Sequence, residues 1–244
     1  MEIIQKKRSF RDISPREYMY FPKGTLEMGK PGSFSRLEII HISAAMVILT
    51  ICFTFTLSMN SLLWSLFNGF DAHRFSNGFL LSLIAVFCAF FFHEMSHKLT
   101  AQYYRLWSEF RMNMKSLLIS CVLAATTGFV FAAPGAVMFR GEPRVFEEGH
   151  IALAGPLANL VFASIFTPMY LFFFTKSISI IPRMIGFICL INIIFGAFNL
   201  IPAKSLDGWK IIQWNKIVWT IMIVYALILF LIITPYIPQL LPFG

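Results

Sequence analysis

The sequence predicts an all-α protein that crosses a membrane about five or six times, with a re-entrant or short extended segment near its functional site. Three observations carry this. Of 244 residues, 57% are hydrophobic and only 13% charged, about half the charged share usual in soluble domains. Apolar runs close to the length of a membrane-crossing helix, about 20 residues, recur along the chain. One further apolar stretch, residues 117–139, is interrupted by Gly128, Pro134 and Gly135, which points to broken backbone.

The chain opens on a polar tail, residues 1–36, holding Lys6, Lys7, Arg8, Arg11, Arg16, Lys23, Lys30 and Arg36, much of the net charge of +8. A basic segment before a first span marks the cytoplasmic side and leans on anionic lipid, so the tail predicts contact with the bilayer and not with nucleic acid. No signal-peptide pattern precedes the first apolar run. Spans are expected at about 38–59 and 78–100, joined by a polar outer loop with Asn68, Asp71, His73, Arg74 and Asn77. A basic stretch follows, with Lys98, Arg105, Arg111 and Lys115. Later spans are expected at about 151–174, 184–202 and 217–233, ahead of a Pro-rich end. Lys204, Lys210 and Lys216 put the loop before the last span on the cytoplasmic side as well. The division is therefore a cytoplasmic tail over 1–36 and one integral membrane domain over 37–244, with its functional core at about 78–210. Cys52, Cys88, Cys121 and Cys189 all lie in apolar runs without a CxxC pair, as buried thiols do.

Residues 117–139 decide the topology. If they cross, the two spans after them reverse, and the LDG of residues 206–208 faces away from the HEMSH of residues 93–97. If they dip and return, both motifs lie near one membrane face. The dip is the expected arrangement, with extended backbone around AAPGAVMF.

HEMSH is the chemical anomaly, three ionisable residues inside an apolar run. Positions i and i+4 of a helix share a face, so His93 and His97 can bind one Zn²⁺. Glu94 then reaches a water that the metal acidifies, as general base. The alternative is a buried histidine pair bonded to a neighbouring helix, but an intramembrane ionisable residue is functional by default. A third ligand is needed. Asp207, at the end of a late apolar span on the same side, is the leading candidate, ahead of His150, Glu148 and Glu147 at the border of the 151 span. His41 and His73 read as interfacial or solvated.

HEMSH in a membrane helix, then LAGPLAN, then NLIPAKSLDG, resembles the site-2 protease family of intramembrane zinc metalloproteases, in its compact archaeal and bacterial form. The three motifs span about residues 93–208. The resemblance implies that His93, His97 and Asp207 bind one Zn²⁺ per chain, that Glu94 is general base and acid, and that Asn199 steadies the substrate carbonyl or oxyanion. Gly155, Pro156 and Asn159 match the family's GPxxN, read as close helix packing with an amide bonding across helices. The stretch before LDG departs from the family in having AKS, with Lys204, where a second proline is common. No PDZ or CBS module fits this length. The expected function is hydrolysis of peptide bonds in or near transmembrane segments of membrane-anchored proteins, by a multi-pass enzyme of the cell membrane with its N-terminus and active site towards the cytoplasm. The bilayer and the anchored substrate are the expected partners, and AAPGAVMF offers an edge strand to an unwound substrate. Two rivals stand beside this reading. A zinc protease of prenylated C-termini would need a glutamate as third ligand, and a metal-binding transporter would need more polar residues in mid-membrane than Asn192 and Asn199 supply.

Overall fold

The computed structural model describes residues 33–130, 134–174 and 180–237. Nearly all of the basic tail, the centre of the loop before the 184 span and most of the Pro-rich end lie outside the described residues. In order come α1 (Arg36–Ser58), α2 (Leu62–Asn68), α3 (Ala72–Val86), a π-helical turn (Phe87–Phe91), α4 (Phe92–Tyr103), β1 (Trp107–Met112), α5 (Met114–Thr127), β2 (Gly135–Arg140), α6 (Val145–Phe174), α7 (Ile180–Asn199), α8 (Asp207–Trp214) and α9 (Lys216–Ile233). Among the described residues, five helical segments are long and apolar enough to cross a membrane: Arg36–Asn68, Ala72–Tyr103, Val145–Phe173, Ile181–Asn199 and Lys216–Tyr236. With one two-stranded sheet among the described residues, the protein is an all-α polytopic membrane protein.

Short polar side chains set the helix starts. Ser35 accepts the Glu38 N–H at 3.1 Å, Asp71 that of Arg74 at 2.9 Å, and Asn113 that of Ser116 at 3.2 Å, each satisfying a backbone donor that a helix leaves free. The predicted polar outer loop is partly helical. Helix α2 leaves Leu62, Leu63, Leu66 and Phe67 exposed, and the polar residues close the corner instead. Asn60 Nδ2 donates to the Asp71 carbonyl at 2.9 Å, and the Asp71 N–H donates to Asn60 Oδ1 at 2.8 Å.

The stretch after α4 holds no helix of spanning length among the described residues. Helix α5, at 14 residues, is about 21 Å long against a hydrocarbon core of about 30 Å. Strands β1 and β2 pair antiparallel, with Met112 opposite Gly135, and the Asn113 N–H donates to the Pro134 carbonyl at 2.8 Å. The excursion between them therefore leaves and returns at one place, the geometry that the predicted dip requires. Strand β2 is the expected extended segment. Strand β1 was hidden in a stretch read only as basic, because Ser108 and Glu109 are as fully buried as Trp107 and Phe110, so no alternation of polarity shows.

Lys98 also departs from expectation. It is 1% exposed, and its Nζ lies 2.5 Å from Oε2 of Glu38, itself 0% exposed. The other oxygen of Glu38 accepts the Phe110 N–H at 3.0 Å, so one carboxylate ties α1 to α4 and to β1. Among the described residues the core falls into two large clusters and a small one of Ala101, Leu106 and Ile151. Leu49, Ala85, Phe90, Phe110 and Phe195 belong to the first, and Leu160, Ile193, Leu200, Ile211 and Met222 to the second. Helix α7 contributes to both, and the functional motifs converge beside it.

Candidate metal centre

The π-turn before α4 widens the helix one turn ahead of His93, a distortion that recurs at functional sites. Past it, His93 and His97 face the same way as their spacing requires, and their Nε2 atoms lie 3.0 Å apart. Asp207, the first residue of α8, brings Oδ2 to 3.3 Å from His93 Nε2 and 3.1 Å from His97 Nε2. Its approach depends on Gly208, where a Cβ would stand 2.6 Å from the Ile201 carbonyl oxygen. Gly155 does the same for the imidazoles: a Cβ there would lie 2.6 Å from His97 Cε1 and 2.7 Å from His93 Cε1. Among the described residues these three side chains form the one group of three or more whose ligand atoms lie within 4.8 Å of one another.

Hydrogen bonds behind the rings fix their tautomers. His93 Nδ1 lies 2.6 Å from Asn159 Oδ1, and His97 Nδ1 lies 2.6 Å from the Ile151 carbonyl. Asn159 Nδ2 donates to the Ala89 carbonyl at 2.8 Å and to Asn192 Oδ1 at 2.9 Å, so its oxygen is the atom turned to His93. Both acceptors lack a hydrogen, hence each Nδ1 carries the proton and each Nε2 presents a lone pair. Two such lone pairs and a carboxylate oxygen within 3.3 Å repel one another unless a cation lies among them. A tetrahedral zinc site, with bonds of about 2.0–2.2 Å, has edges of about 3.3–3.6 Å, so the observed triangle fits that ion to within a few tenths of an ångström.

Glu94 is 5% exposed, and its Oε2 is buried without a hydrogen-bond partner among the described residues, a costly state that a bound water or substrate would relieve. The Val137 N–H of β2 faces its carboxyl group. The pairing pattern explains why. The Phe110 N–H is given to Glu38, so Phe110 and its opposite Val137 form a pair without mutual hydrogen bonds, and the Val137 backbone groups point off the free edge of β2.

His93, Glu94, His97 and Asp207 thus come together. Asn199 lies at the end of α7 with its amide donating to the Phe195 carbonyl at 3.0 Å. The other carboxylates weighed as ligands do not join the group: Glu147 accepts the Arg144 N–H at 2.7 Å. His150 bonds Tyr104 instead, with 2.5 Å between Nδ1 and Oη. Sequence reading missed the link from Asn159 to His93. Its signal was two asparagines, at 159 and 192, in otherwise apolar helices.

A family model described as peptidase family M50 matches residues 81–180. A protein of Methanocaldococcus jannaschii named "Putative zinc metalloprotease" is 35% identical over 190 residues, covering 78% of this chain and 90% of that protein. No solved structure matches the chain.

Proposed function

Since this chain belongs to peptidase family M50, we propose that its zinc-dependent endopeptidase activity is directed at peptide bonds in or near transmembrane segments of membrane-anchored proteins. The observation that carries this is the Nε2–Nε2–carboxylate triangle of His93, His97 and Asp207, with the buried Glu94 beside it, on helices long and apolar enough to cross a membrane.

Zinc held by these three side chains would supply Lewis acidity, polarising the scissile carbonyl and lowering the pKa of the attacking water. The protein's own groups do the rest. Glu94 Oε2 takes a proton from the water and returns it to the leaving amine, a general-base and general-acid contribution of about 10²–10⁴-fold. The Asn159 amide and Ile151 carbonyl hold the two imidazoles in the ligating tautomer. Asn199 is assigned to the substrate carbonyl, a role for the second hydrogen of its amide, the first being donated to the Phe195 carbonyl. The substrate strand adds to the free edge of β2, where the outward backbone of Val137 adjoins Glu94. The exposed cations Arg36, Arg105, Lys115, Lys204 and Lys216 support a cytoplasmic position for this end of the molecule, with residues 1–36 as a lipid-facing arm ahead of the membrane domain.

The test is cleavage of a purified single-span substrate in proteoliposomes, with products mapped by mass spectrometry. Glu94→Gln should keep its zinc and lose activity by at least about 10²-fold. Undiminished cleavage by that variant, or products cut only in a distant soluble segment, would overturn the reading.

A further inference from the structure

We propose that His150 is a positioning residue, clamping the helix that carries the histidines to the helix that carries the aspartate. The proposal rests on the ligand set given above. His150 lies in the first turns of α6 and touches both partners. On one side its Nδ1 is 2.5 Å from Tyr104 Oη, and the two rings stack with centroids 6.0 Å apart. On the other its ring meets Trp214 edge-on at 4.4 Å. Phe146, one turn earlier, closes the cluster at 6.0 Å from His150 and 6.1 Å from Tyr104.

The spacing gives the contact its leverage. Tyr104 follows His97 by seven residues, and Trp214 follows Asp207 by seven. Seven residues are two helical turns, so in each case the clamp residue lies about 10 Å along the helix from the ligand and close to the same face. Joining Tyr104 to Trp214 through one imidazole fixes how α4 and α8 diverge, and with it the gap between the imidazoles and the carboxylate. The neighbours of His150 agree. Gly149 lies so close to α8 that a Cβ would stand 2.6 Å from Trp214 Cδ2. The Ile151 carbonyl accepts from His97 Nδ1. Three consecutive residues of α6 thus gauge the distance between the two ligand-bearing helices, and His150 is the one whose side chain reaches both.

The experiment measures zinc affinity of purified protein by competition with a chelating dye, alongside the absorption spectrum of the Co²⁺-substituted form and the Tm of the metal-free form. His150→Ala should weaken zinc by about tenfold, the low end of the range for groups that orient ligands, and shift the Co²⁺ bands. His150→Asn, which keeps a partner for Tyr104 Oη, should recover part of both, and Tyr104→Phe should lose less than His150→Ala. Unchanged affinity and spectrum in His150→Ala overturn the clamp. So does an affinity loss matched by a fall in metal-free Tm with an unmoved Co²⁺ spectrum. Asp207→Ala reports on the ligand set itself: full zinc retention there overturns the ligand reading, and the clamp with it.

Discussion

Asn159 turns its oxygen to His93 Nδ1 at 2.6 Å because both hydrogens of its amide are already committed, to the Ala89 carbonyl and to Asn192 Oδ1. Asn192 is oriented in turn by donating to the Ile188 carbonyl at 2.8 Å. The chain ends on a fixed lone pair, so the tautomer of His93 is set from α7, across α6, to α4. Replacing Asn159 by Leu removes that acceptor and strands the Ala89 and Asn192 oxygens. Zinc affinity is expected to fall about 10–100-fold, measured by chelator competition. Asn192→Leu, one step removed, should cost less.

Asp207 as third ligand would separate this protein from enzymes that use a glutamate there. Asp207→Ala should abolish stoichiometric zinc, read by elemental analysis after dialysis. Glu147→Ala and Glu148→Ala should leave it at one per chain. The reverse pattern would move the ligand to the start of α6.

Glu38 and Lys98 form a buried pair, 0% and 1% exposed. Removing one partner leaves an uncompensated charge in a low dielectric, at a cost of about 3–5 kcal/mol. Lys98→Met and Glu38→Gln should each lower Tm sharply in detergent. Glu38→Gln with Lys98→Met should recover most of that loss, since a neutral amide still accepts the Phe110 N–H. A double variant no better than the worse single one would show that packing, and not charge, dominates.

The two strand positions flanking the site should differ. Val137 points its backbone off the free edge, whereas Ala136 lies opposite Arg111 in a hydrogen-bonded pair. Val137→Pro should leave the fold intact, since an edge tolerates proline, and lower kcat/KM by an order of magnitude or more. Ala136→Pro breaks the ladder to β1 and should lower Tm as well. Full activity in Val137→Pro would exclude strand addition at this edge.

Much of the fold was legible because membrane insertion is read from local composition. The spans, HEMSH at i and i+4, and the isolated carboxylate of LDG all follow from short windows of sequence, since hydrophobicity and helical periodicity need no distant partner. Glycine and proline in residues 117–139 gave the dip, because a chain that breaks its own helix must be satisfied elsewhere.

What the tertiary structure alone decided is pairing. Lys98 reads as a cytoplasmic charge until Glu38, 60 residues away, is brought beside it. Strand β1 exists because β2 supplies its hydrogen bonds. Asn159 reads as a packing amide and His150 as a spare ligand, until one is found against His93 Nδ1 and the other between Tyr104 and Trp214. A sequence states which groups a chain must satisfy, and where along it they lie. Which group satisfies which depends on contacts between distant segments, and here those contacts bring HEMSH and Asp207 to the same few ångströms.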